Sequence, residues 1–206
     1  MKFILKLTKI LALFLISIIF IGAILIIFYL FPLAKGDLIS INPPEGYIIQ
    51  QENYYETQGY NECAAFATAY LLRHFGYNVY GKDVYQDMKF KLPFLGVVPA
   101  KGIIETLNRY GLNAKYYKGN INTIKAHVSK DRSVILYVGK GLQWEHYITM
   151  IGFDNNTKEI YIFDSLQESD INGGDFGNKT ISEEELLKIW DNGLPFLSHT
   201  YIVAEE

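Results

Sequence analysis

The stretch Gln58-Gly-Tyr-Asn-Glu-Cys63-Ala-Ala-Phe-Ala-Thr-Ala-Tyr-Leu-Leu-Arg-His-Phe-Gly76 decides the fold. A polar, turn-forming loop gives way to a run of small and apolar residues, which stops at a glycine. Helix is predicted over 62–75, with Asn61 as its N-cap and Gly76 as the left-handed residue after the last turn. The early part of this helix is apolar all round, so it is expected to be buried on several sides. Its alanines let neighbouring backbones come close, which makes it a central helix of the domain. Cys63 falls in its first turn, where free N–H groups and the positive end of the helix dipole stabilise an anion. The chain has one cysteine, so an internal disulfide is excluded.

Downstream, residues 101–110 predict a second helix stopped by Gly111, and 114–117 a short strand. Asn120 is placed to cap a third helix over 121–129. The pattern then changes. Residues 133–138, 146–153 and 159–163 are short apolar runs rich in β-branched and aromatic side chains, which read as strands. The last two are joined by Asp154-Asn-Asn-Thr-Lys158, whose residues tolerate turn dihedrals, so they form a hairpin. Ser182-Glu-Glu-Glu185 is a capping-box pattern ahead of Leu186-Leu-Lys-Ile-Trp190, with Asn192-Gly193 as the stop. Residues 199–203 read as a last strand. Helices come first and antiparallel strands follow, an α+β layout rather than alternating βαβ.

The hairpin carries the next step. With its turn centred between 155 and 157, residues 164–168 lie opposite His146, so Asp164 is expected close to that histidine. A carboxylate beside an imidazole fixes its tautomer and raises its pKa. A histidine next to Cys63 would hold the thiolate as an ion pair and later give a proton to a leaving group. Gln58, five residues before Cys63, offers an amide to a developing oxyanion, as does the backbone N–H of Cys63. Gln51 and Gln143 share that chemistry but not that placement. His199, at the start of the last strand, is the rival base. His74 lies a helix length from Cys63, and His127 sits in an amphipathic helix with lysines. Trp144 is expected to wall a cleft or to pack beside it.

Other classes of function find little support. Net charge is −3 and no long basic run occurs, so no nucleic-acid partner is expected. There is no His-x3-His or Cys-x2-Cys pair and no phosphate-binding loop, and Asp170-Ile-Asn-Gly-Gly-Asp175 lacks the spacing of a calcium loop. No metal or cofactor is expected.

From Ile10 to Ala34 the chain carries no charge and is mostly Leu, Ile and Phe. A bilayer-spanning helix needs about 20 such residues. Phe31-Pro-Leu-Ala-Lys35 makes a poor cleavage site, so an uncleaved anchor is expected rather than a signal peptide. Lys2, Lys6 and Lys9 precede the span, which by the positive-inside bias leaves the N-terminus in the cytoplasm. The expected plan is a cytoplasmic tip and transmembrane anchor over 1–34, a linker over 35–47 and the folded domain over 48–206. The protein would thus cross the cell membrane once, with the lipid bilayer as a partner and the domain outside. An unpaired cysteine is unusual in an exported domain.

Gln58-x4-Cys63 opening a small-residue helix that ends Arg-His-Phe-Gly76, then His146-Tyr-Ile-Thr-Met-Ile-Gly-Phe153, then Tyr161-Ile-Phe-Asp164-Ser165, resembles the C39-like branch of papain-like cysteine peptidases. The resemblance covers about residues 58–166. It implies a papain-like α+β fold with a central N-terminal helix packed on an antiparallel sheet. It also implies roles in chain order: Gln58 for the oxyanion, Cys63 as nucleophile, His146 as base and Asp164 as its orienting residue, acting on a peptide or protein substrate. Ala64 departs from the Gly or Glu that many members carry after the cysteine, which bears on substrate preference. Two other functions are compatible with the same frame: transglutaminase-like acyl transfer to an amine, and a non-catalytic peptide-binding module.

Overall fold

The N-terminal apolar run forms α1 (Lys2–Leu30). Its stretch Thr8–Leu30, 23 residues of mean hydropathy 3.3, contains no buried residue. By length and composition it suffices to cross a bilayer. The computed structural model describes residues 2–39, 42–50, 53–141, 143–166 and 177–206. After α1 come β1 (Lys35–Gly36), β2 (Gly46–Ile48), α2 (Cys63–His74), α3 (Gly81–Asp87), α4 (Ala100–Arg109), β3 (Asn113–Lys118) and α5 (Ile121–Val128). They are followed by β4 (Val134–Gly139), β5 (Glu145–Asp154), β6 (Glu159–Phe163), β7 (Lys179–Ser182), α6 (Glu183–Trp190) and β8 (Thr200–Glu205).

The strands form one sheet in the order β1-β3-β8-β4-β5-β6-β7, with β2 pairing along the second half of β5. All pairs are antiparallel except β1 with β3. Strand β4 shows why both faces are covered. Successive side chains of a strand point to opposite faces. Ile135 and Tyr137 enter one core with α2 and α4, whereas Val134, Leu136 and Val138 enter a second core with α5 and α6. The fold is therefore α+β, with α2 packed on the sheet. Burying Leu71 and Leu72 of α2 completely is worth about 2–3 kcal/mol each.

Three local features differ from the sequence reading. Asn61 is not the N-cap of α2. It adopts φ +58°, and Glu62 takes the cap position without a capping bond. The reason is the tight loop before the helix: Glu62 Oε2 accepts the Gly59 N–H at 2.8 Å, and the left-handed Asn61 reverses the chain. Helix α3 was invisible because its seven residues have no apolar period. It is set by packing: a Cβ on Gly81 would stand 2.6 Å from the Phe66 ring. Finally, Lys35–Asp37 is not a free spacer. Lys35 and Gly36 pair with Tyr117 and Lys118, and Asp37 accepts from Tyr201 and from His127 Nε2 at 2.7 Å.

The chain before α2 is tied down by Arg73 on the helix's last turn. Arg73 donates to Glu56 at 2.6 Å, to Asn53 Oδ1 at 2.7 Å, and to the Tyr54 and Val79 carbonyls at 3.0 Å. Its guanidinium also lies 4.0 Å over the Tyr54 ring. This clamp fixes the path of residues 53–56, just upstream of Gln58.

Candidate active site

The N-terminus of α2 opens into a cleft of about 470 Å³ lined by Gln58, Asn61, Cys63, Trp144, His146 and Leu166, among others. Cys63 is half-buried there, at the end of a helix whose first N–H groups have no intrahelical acceptors. His146 is 2% exposed and lines the cleft together with Cys63. Its Nε2 donates to Asp164 Oδ1 at 2.8 Å. Since an ionised carboxylate only accepts, that bond fixes the proton on Nε2 and leaves Nδ1 for Cys63.

How Asp164 reaches His146 depends on one extra residue. Near the turn, β5 and β6 pair as Asp154↔Glu159, Phe153↔Ile160 and Gly152↔Tyr161. Past Ile151 the pairing becomes Met150↔Ile162 and Thr149↔Phe163, so Ile151 is a β-bulge. A one-residue shift changes which residues share a face. Extending the outer register sets Ile148 opposite Asp164, on the same face as His146 and diagonal to it, within side-chain reach. In the inner register Asp164 would face away.

Asp164 is further locked. Its backbone N–H donates to Asn178 Oδ1 at 2.8 Å, and Asn178 Nδ2 returns a bond to its carbonyl at 2.9 Å. Lys179 Nζ reaches Oδ2 at 3.2 Å and the Leu166 N–H reaches Oδ1 at 3.0 Å. Burial works against charge at both members of the pair. At His146 the bonds to Asp164 and Cys63 and their charges outweigh burial, and the pKa is pushed up to about 9. At Asp164 burial is outweighed by His146, the Leu166 N–H and Lys179, and the pKa falls to about 2.

Gln58 is oriented from the residue after Asp164. Ser165 Oγ donates to Gln58 Oε1 at 2.7 Å, and the Gln58 N–H donates to the Ser165 carbonyl at 2.9 Å. With Oε1 occupied, the amide Nε2 is the end left for the Gly59 carbonyl, at 3.1 Å, and for the cleft. Sequence reasoning assigned no role to Ser165, Asn178 or Lys179. Only adjacency to Asp164 could have singled out Ser165. Nothing in the sequence marks Asn178 or Lys179. On the expectation that Gln58 serves an oxyanion in peptide hydrolysis, Ser165→Ala is expected to lower kcat about threefold to tenfold with little change in KM, because a freed amide would be aimed less of the time. Steady-state kinetics check this, and a pure KM effect would contradict it.

The other side chains weighed from sequence lie elsewhere. His74 Nε2 bonds the Asp131 carbonyl at 2.8 Å, His127 bonds Asp37, and His199 packs against Trp190 at 5.0 Å between ring centroids. Trp144 walls the cleft, its ring 5.8 Å from that of His146. Gln143 is an exposed residue of the β4–β5 turn. Gln51 and the 170–175 loop lie outside the described residues. Among the described residues no cluster of three His, Cys, Asp or Glu side chains is arranged to hold a metal ion.

The sequence matches the model of the Peptidase_C39 like family over residues 47–192. No curated protein matches it. Among solved structures the chain is similar to the peptidase domain of Streptococcus ComA, described as a bi-functional ABC transporter involved in a quorum sensing pathway. The TM-score is 0.56 at 16% identity, covering 74% of this chain and 97% of that one. It is also similar to a double glycine motif protease from an AMS/PCAT transporter in complex with the leader peptide. There the TM-score is 0.51 at 17% identity, covering 81% of this chain and 100% of that one. At such identities the likeness is one of fold.

Proposed function

The chain belongs to the Peptidase_C39 like family, and on that premise we propose that it is a membrane-anchored cysteine peptidase whose domain works outside the cytoplasm. One observation carries the reading: Cys63 at a helix N-terminus shares a cleft with an imidazole whose Nε2 is held 2.8 Å from a buried carboxylate. Cys63 attacks the scissile carbonyl as a thiolate. The oxyanion is received by Gln58 Nε2 and the Cys63 N–H. The imidazolium of His146 gives its proton to the leaving amine as the C–N bond breaks. A water, deprotonated by His146, then attacks the thioester, expels the thiolate and releases the acid. Asp164 holds the ring throughout. The three lysines at the start of α1, ahead of the uncharged stretch that begins at Ile10, support the orientation.

The thiolate–imidazolium pair is tested directly by alkylation. The Asp164 carboxylate raises the pKa of His146 and favours its charged form, so iodoacetamide is expected to modify Cys63 faster than a free model thiol throughout roughly pH 5–7. His146→Ala is expected to remove the advantage. Equal rates for the protein and the model thiol, unaffected by His146→Ala, would leave a peptide-binding module without the chemistry.

A further inference from the structure

The domain grips the exit of α1. Phe28 meets Phe196 at 6.3 Å between ring centroids, Tyr29 meets the edge of Phe90 at 5.8 Å, and Phe31 packs on Tyr137 at 5.9 Å. Lys101 Nζ lies 5.5 Å from the Tyr29 ring centroid. A few residues on, β1 joins the sheet and Asp37 is clamped by His127 and Tyr201. The chain is thus pinned on both sides of the exit, which fixes how the domain sits on the helix.

The segment Lys89-Phe-Lys-Leu-Pro-Phe-Leu95 leaves from this junction. One stem touches α1 through Phe90. At the other, Val97 and Val98 share with Phe31 and Cys63 a cavity of about 20 Å³. Between the stems Phe94 is fully exposed and Leu95 is 56% exposed. Phe90 and Phe94 hold φ of +65° and +66°, a conformation that costs a non-glycine residue about 1–3 kcal/mol. Bonds from Leu92 N to Val97 O (2.8 Å), Gly96 N to Leu92 O (2.9 Å) and Tyr85 Oη to Gly96 O (2.9 Å) hold the loop closed. A braced loop that holds Phe94 and Leu95 side by side in solvent offers an apolar contact surface. Four residues from Phe90, Phe94 stays within about 14 Å of the residue that packs on the last turn of α1. Leu33, just past the end of α1, is 71% exposed.

We infer that the 89–95 loop is a second lipid contact, seating Phe94 and Leu95 in the membrane interface beside α1. The inference rests on the reading of α1 as a membrane span. The bilayer is the occupant because the stem of the loop packs through Phe90 on Tyr29 of an apolar helix with no buried residue in its span, and because Lys89, Lys91 and Lys101 lie beside it, Lys91 bonded to the Gln86 carbonyl and Lys101 paired with Glu105. Aromatic rings with snorkelling lysines are the chemistry of that interface. The loop also touches the catalytic cleft: Leu95 O accepts from Asn61 Nδ2 at 2.8 Å, and Asn61 lines the cleft with Cys63. The cleft therefore opens at the membrane surface, and its substrates are peptide segments lying on or just emerging from a bilayer.

Phe94→Trp in the full chain, reconstituted in phosphatidylcholine vesicles with lipids brominated at the upper acyl chain, reads the contact, with the parent protein's tryptophan signal subtracted. The added fluorescence is expected to be blue-shifted and quenched about twofold or more. Leu187→Trp, on α6 across the sheet, is expected to be unaffected. Absence of quenching in Phe94→Trp while the chain resists alkaline carbonate extraction overturns the lipid contact and leaves the anchor standing. Release by carbonate overturns the anchor and the inference with it. Quenching requires no activity, so this outcome is independent of the peptidase reading. For the substrate class, Phe94→Ser with Leu95→Ser is expected to slow cleavage of a lipid-tethered peptide about tenfold relative to the same peptide in solution. An unchanged ratio overturns that part.

Discussion

Cys63→Ala is expected to reduce peptide hydrolysis by at least about a thousandfold while leaving the protein folded. No other thiol exists in the chain to substitute for it. The alanine keeps the β-carbon of a half-buried side chain at a helix start, so unfolding free energy is expected to shift by less than about 1 kcal/mol. The two readouts separate chemistry from structure. Burst and steady-state kinetics with a fluorogenic peptide, alongside thermal unfolding of the full chain in detergent, give both. His146→Ala is expected to cost nearly as much, and the double variant little more than either single one, because the two groups act as one unit. Retention of a tenth or more of the activity by Cys63→Ala would assign the chemistry to other residues.

The largest expected loss of stability is for Arg73→Leu. The Arg73 side chain is 5% exposed and that of its partner Glu56 is 16% exposed. Both Glu56 oxygens also accept the Gly81 N–H, at 3.1 and 3.0 Å. Removing the guanidinium strands this carboxylate, Asn53 Oδ1 and the Tyr54 and Val79 carbonyls in a site from which water is largely excluded. Breaking one side of such a buried pair costs about 3–5 kcal/mol. For a chain of this size that is a fall in melting temperature of roughly 10 °C. Denaturant unfolding in detergent measures it, and a change below about 1 kcal/mol would mean the pair is solvated in practice. Since the clamp leads directly to Gln58, the surviving folded fraction is also expected to lose kcat.

What could be read in advance was whatever the chain states locally. Helix α2 announces itself by an apolar run ended by Gly76. Helix α5 does so through Asn120, whose side chain accepts from Asn122 and Thr123 as a capping box. The β5–β6 hairpin follows from Asp154–Lys158, where Asp154 Oδ1 accepts the Asn156 and Thr157 N–H groups at 2.7 and 3.1 Å. Gln58, Cys63 and His146 were legible as cleft residues because each sits next to an element boundary that the sequence marks. Features made by distant partners were not. Strand β1 is only two residues long and owes its form to β3. Ser165 and Gln58 are 107 positions apart. Asn61 looked like a cap because its side chain suits one, yet the backbone needed a left-handed residue there more than the helix needed an acceptor.

The bulge at Ile151 makes the site sensitive to counting, but on one strand only. Ile151 is the extra residue, so deleting its codon leaves Met150 opposite Ile162 and Ile148 opposite Asp164, and the carboxylate stays on the face of the imidazole; what is lost is one apolar side chain from the core. Deleting Ile162 from the facing strand instead sets Asp164 opposite Thr149 and swings the carboxylate to the far side, with every reactive group still present in the chain. Lengthening the turn at 155–158 leaves both registers as they are. The gene therefore tolerates a frame-preserving loss at the bulge and extension at the hairpin tip, but not the loss of one residue between Tyr161 and Asp164.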